Sequence, residues 1–293
     1  ARLARGHARA AAAGVPEQGY DALFGAGEAA PLQDLRGKWA LVSGASSGIG
    51  RATACALAAC GCSVALLARR RGRLLEVAGE IQRRGLGVEV KVVAGDVGSE
   101  ATRAALEEQG CLRGMDFLVA NAGLALGRDP VGSARAADWK EMLDTNCFGA
   151  FELVNQVLPG MIAQGSGHVL VLGSIAGLEP YEGGAVYAAS KHAVHAFMRA
   201  LRYETYDKNI RCTVVAPGFV GEGTEFSEVR FGGDMEKAQA VYANMQELRA
   251  SDVAAQIVWA LRQPPHVCLD MIHVMPTCQG GSTRVHRAGA ERP

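Results

Sequence analysis

With 293 residues, 30 basic and 30 acidic side chains and a formal net charge of zero, the chain lacks the basic excess that marks a nucleic-acid-binding surface. Hydrophobic residues make up 49% and charged residues 20%, and no uninterrupted apolar run approaches the roughly 18 to 20 residues needed to cross a bilayer. A soluble globular protein is expected, and length alone allows one large domain with extensions or two small ones.

The first stretch, 1–14, is alanine and arginine with no acid before Glu17. Its composition resembles an organelle-targeting peptide, plastid or mitochondrial, or its processed remnant. An alanine-rich extension of a cytoplasmic protein fits equally, and a partner chain is expected to hold this polar tail. Eight cysteines are scattered without a paired metal-ligand spacing, and the one close pair, Cys60-Gly-Cys62, reads as the joint between a helix and a strand. They are expected to be free thiols in a reducing compartment, with no metal site.

From Lys38 the pattern becomes regular. Residues 39–43 read as a buried strand, and Gly44-Ala45-Ser46-Ser47-Gly48-Ile49-Gly50 as a glycine-rich turn feeding a helix over 51–59. Glycines let backbone approach a phosphate, and a helix start offers free N–H groups and the positive end of its dipole. The second strand, 63–68, ends in Arg69-Arg70-Arg71. An acid at that place accepts the ribose hydroxyls of NAD, whereas an arginine suits a 2′-phosphate. Arg69 is the expected contact and the cofactor is expected to be NADP rather than NAD; Arg70 and Arg71 read as a solvated helix start.

A helix (72–84) and a strand (88–94) lead to Gly95-Asp96-Val97, where Asp96 can meet an adenine amino group or cap the helix beginning near Ser99. The strand 116–120 ends in Asn121-Ala122-Gly123, again a small-residue turn at the cofactor edge. Asn146 lies between helices expected around 139–145 and over 148–163, as a cap or break that can also hold a backbone carbonyl or water.

The strand 168–172 delivers Ser174, and the helix 186–204 carries Tyr187 and Lys191 four residues apart. That spacing puts both side chains on one face. An ammonium beside a phenol favours the phenolate and makes a proton carrier of it, and the serine can donate a hydrogen bond to the oxygen being protonated. The strand 211–216 brings Pro217-Gly218-Phe219-Val220 to the same edge. Residues 221–245 read as an irregular, mobile lid, a helix (251–262) and a strand (269–274) follow, and the tail from Gln279 reads as peripheral. Alternating strands and helices imply an α/β fold, a single Rossmann-type doubly wound parallel sheet with helices on both faces.

Together, the Ser43–Gly50 turn, Asn121-Ala-Gly123, Asn146, Ser174, Tyr187-x-x-x-Lys191 and Pro217-Gly218 resemble the short-chain dehydrogenase/reductase family over nearly all of 35–277. The stretches 123–127, 173–177, 224–231 and 275–279 are similar to its NADP-dependent 3-hydroxy acid (serine, malonic semialdehyde) dehydrogenases. The resemblance implies a homotetramer or dimer and hydride transfer to or from a small 3-hydroxy acid. Tyr187 would move the proton, Lys191 would lower its pKa and hold the nicotinamide ribose, Ser174 would polarise the substrate oxygen and Asn146 would anchor a relay water. Gly44, Ser46, Ser47, Gly48, Ile49, Gly50, Val97, Ala122 and Val220 would join the cofactor contacts named above. A carboxylate substrate needs a cation, and Arg230 in the lid is the candidate.

The sequence departs from the family at Ala120, where a second asparagine is usual, at Ser43, usually threonine, and at Gly232, where a basic residue is expected; Gly221-Glu222-Gly223 also lengthens the lid. Two other readings use the same chain: a reductase of another carbonyl such as a 3-oxoacyl thioester, and a fold-retaining subunit of a larger assembly.

Overall fold

The computed structural model describes residues 32–289; the targeting and partner expectations placed on 1–14 lie outside it. All seven strands of the described residues, β1 (Trp39–Ser43), β2 (Ser63–Ala68), β3 (Val90–Ala94), β4 (Phe117–Ala120), β5 (Gly167–Leu172), β6 (Ile210–Pro217) and β7 (Met271–Val274), form one parallel sheet in the order β3-β2-β1-β4-β5-β6-β7. Beginning with β1 (Trp39–Ser43), the chain reverses direction across the sheet between β1 and β4 (Phe117–Ala120), which pair Leu41 with Leu118. Ligands of open α/β sheets bind at such a reversal, beyond the carboxyl ends of the strands. The expected doubly wound sheet is the one observed.

Successive strand residues point to opposite faces, and both faces are covered. Val42, Leu66, Val119 and Val215 pack with Leu57 of α1 (Gly48–Ala59), Leu74 of α2 (Arg71–Arg83) and Ile257 of α9 (Ala250–Leu261). Their neighbours Leu41, Leu67, Leu118 and Val169 pack against Leu106 of α3 (Glu100–Glu108), Leu153 of α5 (Ala150–Gln164) and Met198 of α6 (Ala185–Thr205). Each such buried aliphatic side chain contributes about 1.5–3 kcal/mol, so the strands read as apolar runs rather than alternating ones.

Three expectations are corrected. The two helices expected to break at Asn146 are one continuous run, α4 (Ala136–Leu143), a π-helical turn (Asp144–Gly149) and α5; the widened turn keeps the helix going while burying Asn146, so Asn146 is no cap. The lid is not irregular: it holds α7 (Phe226–Arg230) and α8 (Met235–Ala240). Gly232 and Gly233, both at positive φ, end the first of these, and the Asp234 carboxylate caps the second by accepting from Lys237 N at 3.1 Å. The tail is not peripheral. Gln279 is buried, accepts from Phe219 N at 2.9 Å and donates to Gly281 O at 3.0 Å, while Arg287 donates to the carbonyl of Val241 at 2.9 Å. A polar segment can pack inward when its hydrogen bonds are met this way.

Behind β5 (Gly167–Leu172), His195 of α6 fills space that only glycines leave. A Cβ at Gly173 or Gly177 would lie 2.3 or 2.7 Å from its Nε2. Neither ring nitrogen has a partner among the described residues, and burial pulls its pKa down from 6.5 to about 4, with Lys191, His192, Arg199 and, from β7 (Met271–Val274), His273 adding to the effect. The unfolded chain takes up this proton near pH 6.5. The stability tied to neutral His195 is therefore fully present above that pH and is lost as pH falls toward about 4. Urea denaturation of wild type and His195→Gln between pH 7 and 4 should show a shallower loss in the variant, by on the order of 1–3 kcal/mol; parallel losses would show that the ring is not held neutral.

Candidate active site

The loop after β1 and the first turn of α1 fit together only because they are glycines. A Cβ on Gly44, at φ +65°, would lie 2.6 Å from Asn121 Nδ2, and one on Gly50 would lie 2.4 Å from Gly44 O. Ser43 ties the two strands at the reversal. Its hydroxyl accepts from Asn121 N and Ala122 N, both at 3.0 Å, and its carbonyl accepts from Asn121 Nδ2 at 2.9 Å. Serine thus meets the hydrogen-bonding need of the position usually held by threonine. Ser47, the N-cap of α1, makes no capping bond and no acid lies in the first turn, so the positive end of the helix faces the cleft.

That cleft has a volume of about 390 Å³ and is lined by Gly44, Ser46, Ser47, Gly48 and Ile49 of the turn, by Arg69 and Arg70, by Asp96 and Val97, and by Asn121, Ala122 and Gly123; Gly50 lies behind this lining, against Gly44. A narrow glycine cradle, a helix start and cations at the end of β2 (Ser63–Ala68) fit a phosphorylated dinucleotide. Asp96 does not cap α3. Ser99 does, accepting from Thr102 N at 3.2 Å, while Asp96 Oδ1 accepts from Gly98 N at 3.1 Å and stays at the cleft. Arg69 lies in the cleft wall as expected, but Arg70, set aside as solvated, is the one joined to the turn. Its Nη2 donates to Ser47 Oγ at 2.9 Å and Ser46 Oγ at 3.3 Å.

The second half of the site is built on α6. Tyr187 and Lys191 are both buried, with the ammonium 5.9 Å from the phenol ring centroid. Lys191 Nζ donates to Leu172 O at 2.8 Å, which ties it to the end of β5 where Ser174 emerges. Ser174 Oγ accepts from Ala176 N at 3.0 Å. Asn146 is a backbone clamp: Oδ1 accepts from Leu124 N and Nδ2 donates to Leu124 O, both at 2.8 Å, and Nδ2 also reaches Ser190 Oγ at 3.0 Å. Ser190 Oγ in turn donates to Tyr187 O at 2.7 Å, so the π-turn fixes the helix that carries the phenol. Gly123 separates Asn146 from Lys191, because a Cβ there would lie 3.1 Å from Asn146 Oδ1 and 3.5 Å from Lys191 Nζ.

Burial dominates the electrostatics. It lowers the Lys191 pKa to about 8 and raises that of Tyr187, against the opposing pull of Ser174 and Arg230. The cation that acts on the phenol from the lid is therefore Arg230, which the sequence reading assigned to the substrate alone. Its Cζ lies 5.9 Å from the Tyr187 ring. Nε donates to Gly127 O at 3.1 Å, Nη1 to Tyr181 Oη at 2.7 Å and Nη2 to Gly183 O at 3.4 Å, and no carboxylate among the described residues pairs with it.

Ser174, Tyr187, Lys191 and Arg230 line a cavity of about 160 Å³ with Pro217, Gly218 and Val220. The sequence reading missed Arg128, Tyr181, Phe226, Gln279 and Ser282 in the same wall. Phe226 and Tyr181 had no periodic signal, since their places are set by the lid and by the loop after β5. Phe226 and Gln279 stood within stretches already matched to the family, 224–231 and 275–279, and that was the available hint.

Among the described residues no group of three or more His, Cys, Asp or Glu is placed to hold a metal ion, and no helix is long and apolar enough to cross a membrane.

The short chain dehydrogenase family profile matches residues 38–231. The NADP-dependent 3-hydroxy acid dehydrogenase YdfG of Escherichia coli K12 is 39% identical over 255 residues, covering 84% of this chain and 98% of that protein. Sulfoacetaldehyde reductase 2 of Chromohalobacter salexigens is 41% identical over 245 residues, covering 83% and 95%. Among solved structures, the closed form of serine dehydrogenase complexed with NADP+ superposes with a TM-score of 0.76 at 37% identity, covering 87% of this chain and 99% of that one. By the extent of these matches, and by the glycine cradle and Ser174, Tyr187 and Lys191 at the carboxyl edge of its sheet, this chain belongs to the short-chain dehydrogenase family.

Proposed function

We propose that the protein is an NADP-dependent oxidoreductase that moves a hydride between the nicotinamide and a small 3-hydroxy acid or its semialdehyde or keto form, of the serine, allo-threonine or 3-hydroxypropionate type. One observation carries the reading. A buried phenol and ammonium share a cavity of about 160 Å³ with a guanidinium that no described carboxylate neutralises. The relatives' names point the same way, since a 3-hydroxy acid, serine and sulfoacetaldehyde are all small and all carry an anionic group. A long 3-oxoacyl thioester is the weaker candidate, because Gln279 and Ser282 of the folded-back tail help wall the cavity.

In reduction, NADPH supplies the hydride when bound. The Tyr187 hydroxyl gives its proton to the substrate oxygen while the Ser174 hydroxyl donates a hydrogen bond to the same oxygen. Lys191, anchored on Leu172 O, holds the nicotinamide ribose and replenishes the phenol's proton, and Asn146 keeps Leu124 and α6 in register with it. Arg230 fixes the substrate carboxylate. Glycine cradle, Arg69 and Arg70, Asp96 and Val97 hold the adenosine half. The protein works as a homo-oligomer, a reading supported by the large exposed aromatics Phe148, Tyr203 and Tyr206; a native mass equal to a single chain would contradict it.

The phenol's raised pKa sets the pH response. A protonated Tyr187 is ready to donate, so reduction should hold its rate through neutrality and fall above about pH 8, where Lys191 loses the proton it returns to the phenol. Oxidation needs the phenolate and should speed up as pH rises. Steady-state profiles in both directions, with Tyr187→Phe as control, check this: the variant should lose about 10²- to 10⁴-fold in either direction while binding NADPH within a few-fold of wild type. A flat oxidation profile, or an active Phe variant, would move the proton to another group. Arg230→Ala should raise KM for 3-hydroxypropionate about 10- to 100-fold and leave that for an uncharged alcohol unchanged; equal KM values for the acid would remove Arg230 from substrate binding.

A further inference from the structure

The guanidinium joined to the glycine turn is already engaged. Besides Ser46 and Ser47, Arg70 Nη2 donates to Glu225 Oε2 at 2.7 Å. Glu225 stands immediately before α7 in the lid, more than 150 residues along the chain. It lines the same 390 Å³ cleft as Ser46, Ser47, Arg69 and Arg70. Its carboxyl is held below the usual range, chiefly by the hydrogen bond from Arg70, with Ser47 and Arg73 contributing. An acid therefore sits within the group of cations and hydroxyls that a phosphate would use.

We propose that Glu225 occupies the position at Arg70 that the 2′-phosphate of the cofactor takes, so that this lid carboxylate limits how strongly the protein prefers NADPH to NADH. A phosphate carries roughly 1.5 to 2 negative charges at neutral pH, and a carboxylate on the same nitrogen repels it. Binding of the phosphorylated cofactor must break the Arg70–Glu225 pair, whereas NADH, with no group to place there, leaves it intact. An ordinary helix-start ion pair would not have this effect; here the partner comes from the lid and the pair lies in the cleft itself.

The inference rests on the cofactor reading given above, and the test separates the two. Dissociation constants for NADPH and NADH are measured by fluorescence titration of the purified full chain, for wild type, Glu225→Gln, Arg70→Ala and the double variant. Removing the charge should tighten NADPH about two- to fivefold, the range for a solvent-accessible ion pair, and leave NADH unchanged. In the Arg70→Ala background the same substitution should change neither. NADPH binding that is unchanged or weaker in Glu225→Gln, or an equal gain for both nucleotides, overturns the inference alone. If neither wild type nor Glu225→Gln binds NADPH more tightly than NADH, the cofactor reading falls and this inference with it.

Discussion

One turn of α6 places a phenol above an ammonium in a site where both are cut off from water, and the chemistry follows from that confinement. Tyr187 and Lys191 are buried together, and each is pushed by burial toward its neutral form. A neutral phenol is a proton donor, and a lysine near pKa 8 exchanges protons close to neutrality, so the pair is matched for proton transfer rather than for permanent charge. The helix keeps this geometry because its backbone is held from the side: Ser190 bonds Tyr187 O, Asn146 bonds Ser190, and Asn146 clamps Leu124 beyond β4. The π-turn is what lets Asn146 reach both neighbours while the helix continues through it.

The sheet supplies the other half. The reversal between β1 and β4 opens a cleft, and Ser43 closes the two strands beside it. The closeness that makes the cleft a phosphate cradle is also what forbids side chains at Gly44 and Gly50. Lid and tail then complete the site from outside the sheet. Phe226 stands 5.7 Å from the Tyr187 ring, Glu225 reaches Arg70 and Gln279 bonds the loop after β6 (Ile210–Pro217). Cofactor end and substrate end are thus joined through consecutive lid residues.

Most of the fold was legible because burial on both faces turns strands into apolar runs and helices into regular spacing between them. Tyr187 and Lys191 were legible because a helix converts a spacing of four into proximity. Gly44 to Gly50 were legible because close backbone approach demands glycine. What failed to show had a common cause: it depends on contacts between segments far apart in sequence. Arg70 and Arg69 are adjacent in the chain, and only the position of Ser47 and Glu225 separates their roles. Asn146 looked like a helix break because the partners that hold it inside the run, Leu124 and Ser190, lie 22 and 44 residues away in the chain. Gln279 looked peripheral because a polar tail has no periodicity, although its amide is satisfied at both ends inside the fold.

The central claim is direct hydride transfer at the cavity shared by Ser174, Tyr187 and Lys191, with the accompanying proton delivered separately. A single turnover with NADPH deuterated at nicotinamide C4 and an aldehyde acid in ordinary water tests it most directly, read by NMR of the product. The account predicts one deuterium on the new carbinol carbon and none released to solvent. Deuterium found in water, with the carbinol carbon unlabelled, would contradict it.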